Sequence, residues 1–324
     1  MTPKLIFDVH LDLAWNALDC NRDLRWTLER IRRREIGMTV KGSARNTVCF
    51  PEMRRGRIGL CVATQFARYL PYFGREPQTS QRIAGYFSPE QAWAATQAQL
   101  AWYREMEGCG EMVQIRSRAA LDSHLTRWLN LPNEKPANLP IGYILSLEGA
   151  DSIVTFEHLE KAHAGGLRAL GPVHYGPGIY GHGTDDQGPL TRRGRELLKA
   201  MELLDLILDV THLCDESFWD ALRRFRGPVW ASHSNCRSVA GWNRQFADDQ
   251  ISELIRRGAV IGMAFDAVMM VHGWAHGRSQ PQDFGLRIEK ICEHIDHICQ
   301  LAGNTRHVGI GTDLEGVDDS EFVY

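Results

Sequence analysis

The chain has no apolar run of about 18 residues, the length a membrane-spanning helix needs, so no membrane span is expected. It has no long basic block. The stretch Arg30-Ile31-Arg32-Arg33-Arg34 is short and reads as a solvated helix face. With a net charge of −3 and charges of both signs spread along the sequence, no nucleic-acid partner is expected. No signal-peptide pattern is visible, because Asp8, His10 and Asp12 interrupt the first apolar stretch. Neither a Cys-x-x-Cys pair nor a Cys/His zinc-finger spacing occurs. The eight cysteines therefore read as reduced thiols, and a cytoplasmic location is the expectation. Cys292 and Cys299, seven apart on an expected helix, read as packing residues. There is no internal repeat and no low-complexity tract.

What is present is enough apolar residue for a large core: 44% of 324 residues. Short apolar runs recur near Leu5–His10, Ile58–Phe66, Ile141–Glu148, Leu167–His174, Leu206–His212, Val229–His233, Val260–Phe265 and Val308–Asp313. Several are apolar throughout, as parallel strands buried on both faces require. Helical patterns fill the gaps. Ser88 and Gln91 form a capping signature before an Ala-rich segment running toward Glu107. Thr191–Leu204 puts Leu197, Leu198, Met201 and Leu204 on one face. Asp215–Phe225, Asp248–Arg257 and Asp283–Ala302 follow the same period. Strands alternating with helices mean parallel βα units, and eight of them predict an α/β fold, a (β/α)8 TIM-like barrel. One domain is expected over residues 1–324, with a helical insertion near 19–52 that partly covers the site. Tyr69–Gln81 reads as an irregular loop and Asn130–Leu139 as a connector.

In such a barrel the chemistry lies at the C-terminal ends of the strands. His10 and Asp12 end the first run, one residue apart, so a strand's alternation points them the same way. Glu148, His212, His233 and Asp313 end four later runs. Singly, each has a structural explanation: a hydrogen-bonded histidine, a turn cap, a helix N-cap. Jointly, three imidazoles and three carboxylates around one mouth suit Zn2+ or a similar divalent ion. Six such groups exceed what one tetrahedral ion needs. They suit two ions bridged by a carboxylate and a water, with a carboxylate left to move a proton. His272 and His276 read as an exposed loop pair, and His294, Asp296 and His297 as a solvated helix face.

The motifs resemble those of the membrane (renal) dipeptidase-like metallopeptidases of the amidohydrolase superfamily. Asp8-Val9-His10-Leu11-Asp12-Leu13 is similar to that family's Asp-Gly-His-Asn-Asp-Leu, and Ser146-Leu147-Glu148-Gly149 to its bridging-glutamate motif. Gly188-Pro189-Leu190-Thr191-Arg192-Arg193-Gly194 resembles its Gly-Leu-Thr-x-x-Gly helix start. Asp209-Val210-Thr211-His212 and Ala231-Ser232-His233-Ser234 resemble its later histidine motifs. Gly309-Ile310-Gly311-Thr312-Asp313-Leu314-Glu315-Gly316-Val317 resembles Gly-x-Gly-x-Asp-Phe-Asp-Gly-Val.

The resemblance implies a zinc-dependent dipeptidase with two Zn2+ ions, His10 and Asp12 on one, His212 and His233 on the other, and Glu148 bridging. It implies that Asp313 handles the proton, that His174 steadies the oxyanion, and that Arg244 holds the C-terminal carboxylate of a small dipeptide. Two departures bear on substrate. Asp266 stands near the tyrosine of the family's Val-Asn-Phe-Tyr, where an anion would change substrate contacts. The loop from Tyr175 to Gly183 replaces Ser-x-Asn-Thr-Pro-Trp and is expected to be mobile because it is rich in glycine. Both keep open a second activity with the same metal chemistry, on an N-acyl amino acid, lactam or ester. A non-catalytic binding protein is the third alternative. Only Leu314–Tyr324 follow the last run, too few for the usual closing helix, so a homo-oligomer covering an apolar seam is an expectation.

Overall fold

The apolar runs become parallel strands. The computed structural model describes residues 5–38, 42–70, 85–130, 139–275 and 278–314. Among these, nine strands form one sheet: β1 (Ile6–Leu11), β2 (Ile58–Phe66), β3 (Met112–Gln114), β4 (Ile141–Glu148), β5 (Leu167–Gly171), β6 (Ile207–Asp209), β7 (Val229–Trp230), β8 (Ile261–Met263) and β9 (Val308–Ile310). Their order is β7-β6-β5-β4-β2-β1-β9-β8, and every pairing is parallel. A bridge between Ala231 and Ile261 joins the two ends. There Ala231 N donates to Val260 O (3.0 Å) and Gly262 N to Ala231 O (2.8 Å). This is a nearly closed eight-stranded barrel with helices between the strands, as expected.

β3 lies outside the ring. It pairs with the first residues of β4, whose later residues pair with β5. Three residues, Met-Val-Gln, are too few to show a period in sequence. Two glycines let the ring close. A Cβ on Gly262 or on Gly311 would collide with the Ser232 carbonyl oxygen, so β7, β8 and β9 can meet only without side chains there.

The helices follow their capping signals. Ser88 Oγ accepts from Gln91 N at the start of Pro89–Gly108, and Thr191 Oγ1 accepts from Gly194 N at the start of Arg192–Leu203. Asp215–Arg224 and Asp248–Arg256 stand where expected, and Arg118–Leu129 and Phe156–Ala164 are further helices. The expected helix Asp283–Ala302 is shorter. Gly285, with φ +56°, ends a 3-10 turn at Pro281–Phe284, and the α-helix begins only at Ile291. Within the insertion, Thr27 caps helix Leu28–Glu35, whose Glu35 pairs with buried Arg22 (2.7 Å).

Tyr103, from helix Pro89–Gly108, shows how the outer layer holds the inner one. It is fully buried and stacked on Tyr143 (5.2 Å), donates to Thr64 O (2.8 Å), and accepts from Ala14 N (3.3 Å). That clamps β2 to the segment following β1. β9 differs from the other strands, being half-buried at all three residues. Cys292 is exposed rather than packed. His276, Glu315 and most of Tyr69–Gln81, Asn130–Leu139 and Leu314–Tyr324 lie outside the described residues. No helix among the described residues is long and apolar enough to cross a membrane.

Candidate metal centre

The expected strands ran on to the candidate ligands, but most of the observed strands stop short. β6, β7 and β9 each end three residues before His212, His233 and Asp313. His212 has φ +69° and Asp313 φ +57°, left-handed conformations that cannot continue a ladder. Such backbone costs on the order of 1–3 kcal/mol for a non-glycine residue and is held only by its surroundings. β1 instead carries His10 and runs one residue past the expected end, to Leu11, with Asp12 just beyond it.

The six side chains nonetheless converge. His10 Nε2 lies 3.6 Å from Asp12 Oδ2, 3.8 Å from Glu148 Oε2 and 3.7 Å from Asp313 Oδ1. His212 Nε2 lies 3.0 Å, and His233 Nε2 3.4 Å, from Glu148 Oε1. His233 Nε2 is 3.2 Å from His212 Nε2 and 3.8 Å from Asp313 Oδ2. Three groupings have ligand-type atoms within 4.8 Å of one another: His10, Glu148 and His233; Glu148, His174 and His212; His10, Asp12 and Asp313. Glu148 belongs to two of them.

Hydroxyls orient the imidazoles. Nδ1 of His10 faces Thr64 Oγ1 (3.5 Å), Nδ1 of His212 faces Thr184 Oγ1 (3.0 Å), and Nδ1 of His233 faces Ser232 Oγ (2.9 Å). Each arrangement leaves Nε2 toward Glu148, the usual way a protein sets the donor atom of a metal-binding histidine. Two buried aspartates fasten the neighbouring loops. Asp8 accepts from His10 N (3.2 Å), Thr312 N (3.0 Å) and Thr312 Oγ1 (2.6 Å), tying the β1 end to the β9 end. Asp209 accepts from Thr211 N (3.0 Å) and Ser232 N (3.1 Å), tying β6 to β7 in the same way.

The donor set fits divalent metal. His10 Nε2, Asp12 Oδ1 and Glu148 Oε1 are buried without a hydrogen-bond partner, Glu148 Oε1 facing His212 Nε2 in a geometry that makes none. Buried polar atoms are rarely left so unless something else satisfies them. Burial opposes charge on His10, yet the Glu148, Asp12 and Asp313 carboxylates push it up to about 10. Burial raises Glu148 well above the carboxylate range, with His10 opposing, and raises Asp313 to about 7. His212 and His233 are held well below the usual histidine range, chiefly by burial, with Arg244 contributing to both.

A sequence profile of the membrane dipeptidase family (peptidase family M19) matches residues 1–321. The chain belongs to that family. A dipeptidase described as a family M19 metallopeptidase superposes with a TM-score of 0.74 at 23% identity, covering 97% of this chain and 86% of that one. A metallopeptidase from Rhodobacter sphaeroides, solved with a phosphinate mimic of L-Ala-D-Ala, gives 0.73 at 23%, covering 97% and 87%. An uncharacterized protein in the pqqA 5′ region of Klebsiella pneumoniae is 30% identical over 167 residues, 49% of this chain and 59% of that protein. Dipeptidase verJ of Clonostachys rogersoniana is 26% identical over 182 residues, 55% of this chain and 44% of that protein. The M19 chain therefore spans about half the length of the curated relatives it matches.

The other residues expected in this M19 site also line it. His174 lies beyond β5, its ring 4.3 Å from that of His212 and 4.8 Å from that of Phe66. Its Nδ1 is buried without a partner. Burial, then the charges of Arg68 and Arg244, lower it well below the histidine range. Arg244 is buried, and its Nη2 donates to His233 O (3.0 Å) and lies 3.2 Å from His212 Nε2. Its Nε and Nη1 are buried without partners. Asp266 caps the short helix Ala267–Met270 through Val268 N (3.3 Å).

One hairpin and two residues extend or correct the sequence reading. The glycine-rich loop after His174 folds as a hydrogen-bonded hairpin. Gly178 N donates to Gly181 O (2.9 Å), Gly183 N to Gly176 O (2.9 Å) and Thr184 N to His174 O (3.3 Å). Gly183 is there for close approach, since a Cβ would strike the His174 carbonyl oxygen. The hairpin returns Thr184 to His212. Tyr175, given no role from sequence, lays its ring 4.9 Å from His212, and burial pushes its phenol up to about 12. His294 is not on a solvated face: it is fully buried, accepts at Nδ1 from Cys236 N (3.1 Å), and reaches Met270 O with Nε2 (3.2 Å).

Proposed function

We propose that the chain is a binuclear zinc dipeptidase. The observation that carries the reading is the convergence of His10, His212 and His233 on the two oxygens of Glu148, with Asp12 beside His10 and three ligand-type atoms unpartnered. His10 and Asp12 would hold one ion, His212 and His233 the other, and Glu148 would bridge them. When bound, the pair of ions supplies a water that is nucleophilic at neutral pH and polarises the scissile carbonyl.

The chain's own groups do the rest. With His212 Nε2 committed to an ion, Nη2 of Arg244 joins Nε and Nη1 as a donor. A guanidinium fork then meets the substrate's C-terminal carboxylate in a dry setting, where charge-assisted pairs are strongest. His174, a neutral imidazole with a free nitrogen, steadies the developing oxyanion. Asp313, beside His10 and His233, takes the attacking water's proton and passes it to the leaving amine. The hydroxyls of Thr64, Thr184 and Ser232 keep the imidazoles from turning.

The second reading keeps the ions and changes the substrate to an N-acyl amino acid, lactam or ester. Asp266 supports it, because it puts a carboxylate where the family's pattern has tyrosine. A panel of L-L, L-D and N-acyl substrates with the zinc-loaded protein separates the two. Turnover of dipeptides is expected, and turnover of N-acyl substrates alone would move the assignment to the second.

A further inference from the structure

β2 ends at Phe66, at the end of the barrel where the candidate ligands lie. Arg68 sits two residues on, with its backbone fixed: its carbonyl accepts from Tyr86 N (2.7 Å), and Leu70 N donates to Tyr86 O (2.9 Å). Its guanidinium reaches the base of the hairpin that follows His174. Nη2 lies 3.8 Å from where a Cβ on Gly176 would stand. The side chain is half-buried, yet among the described residues the guanidinium has neither a hydrogen bond nor an ion pair. Three groups influence it at longer range: Asp185, Asp151 and Tyr175. Asp185 is exposed, and Asp151 Oδ1 already accepts from Ile179 N (2.8 Å). A partly desolvated cation without an anion has lost hydration and gained little in return.

The placement says what would supply the anion. In the ring order, β2 and β7 are four places apart among eight strands, so they face each other across the mouth. Arg244 comes from the loop after β7 and Arg68 from the segment after β2. Both charges bear on His174, whose ring packs against Phe66 at the end of β2 (4.8 Å) and against His212 (4.3 Å), which Arg244 also reaches. If Arg244 takes the C-terminal carboxylate and His174 the scissile carbonyl oxygen, Arg68 meets the residue on the other side of the scissile bond.

We propose that Arg68 is a second anion subsite, which takes the carboxylate side chain of an N-terminal aspartyl or glutamyl residue and biases the protein toward acidic dipeptides. This rests on the dipeptidase reading for the substrate's orientation. The planar fork suits a carboxylate.

The test is binding of two phosphinate dipeptide mimics, alike except for an aspartyl or an alanyl side chain in the N-terminal half. Both are titrated calorimetrically into the zinc-loaded native protein and into Arg68→Gln. The native protein should bind the aspartyl mimic about tenfold tighter or more, as expected for a charge-assisted pair, and the ratio should fall to about one in Arg68→Gln. Partial misfolding lowers both affinities together and leaves the ratio, so the ratio is the readout. No preference in the native protein, or a preference that survives in Arg68→Gln, overturns the subsite. Hydrolysis of Ala-Ala by the native protein tests the dipeptidase reading separately. An Arg68-dependent preference without that hydrolysis supports the subsite and removes the reading beneath it.

Discussion

The two sides of the metal centre differ more in charge than in the number of groups. On the β1/β9 side, His10 stands among Asp12, Asp313 and Glu148, and these carboxylates outweigh burial and favour a positive charge. On the β6/β7 side, His212 and His233 face one oxygen of Glu148 and the Arg244 guanidinium, and both imidazoles stay neutral. One side is built to hold a cation among anions. The other places neutral imidazoles beside the Arg244 cation. The difference gives the site an electrostatic polarity, and the proposed roles follow it, with proton handling assigned to Asp313 and carboxylate recognition to Arg244. The two sides are nonetheless fastened alike, by Asp8 across β1 and β9 and by Asp209 across β6 and β7.

The largest expected effect comes from removing the proton carrier while leaving the ligands. Asp313→Asn should lower kcat by about 10²- to 10⁴-fold with metal content unchanged. Loss of metal along with activity would make Asp313 a ligand and blur the contrast between the sides. Next come the two fasteners. Asp8→Asn should weaken one ion and Asp209→Asn the other, each by about 10- to 100-fold, read by competition with a chromogenic chelator. Equal weakening of both ions in both variants would mean that the sides are not separately built.

The smallest effect lies outside the ligands, at Asp151. Burial raises its carboxyl to about 6, with the Ile179 N–H and Arg68 opposing. Because the folded pKa is above the unfolded value, ionisation is penalised in the native state at pH above about 6, and the penalty disappears below about 4. Asp151→Asn can still accept from Ile179 N. It should therefore raise stability at pH 8 by about 1–2 kcal/mol, with the gain fading toward pH 4 in thermal melts. A gain that grows toward low pH would reverse the sign of the argument.

The barrel and its six inward groups could be read from the sequence because both depend on period and position. Apolar runs recur at strand length, and His10, Asp12, Glu148, His212, His233 and Asp313 end them. What was hidden depends on contacts between distant segments. Thr64 is 54 residues from His10 and Thr184 is 28 from His212, so neither could be recognised as an orienting hydroxyl. Asp8 meets Thr312 across 304 residues. β6 and β9 end early where His212 and Asp313 adopt left-handed backbone, for which histidine and aspartate carry no local signal as clear as glycine's. The hairpin after His174 was hidden for a different reason. Its glycines serve close backbone approach, and composition alone does not separate that from mobility. His294 sits on a helix face that looks polar in sequence but is covered by Cys236 and Met270.

The central claim is that two separately held ions meet at Glu148. The most direct measurement is zinc content per chain, by elemental analysis of the zinc-loaded native protein and of His10→Ala and His233→Ala after removal of loosely bound metal. The account predicts two ions in the native protein and one in each variant. A single ion in the native protein, or two retained in both variants, would contradict it.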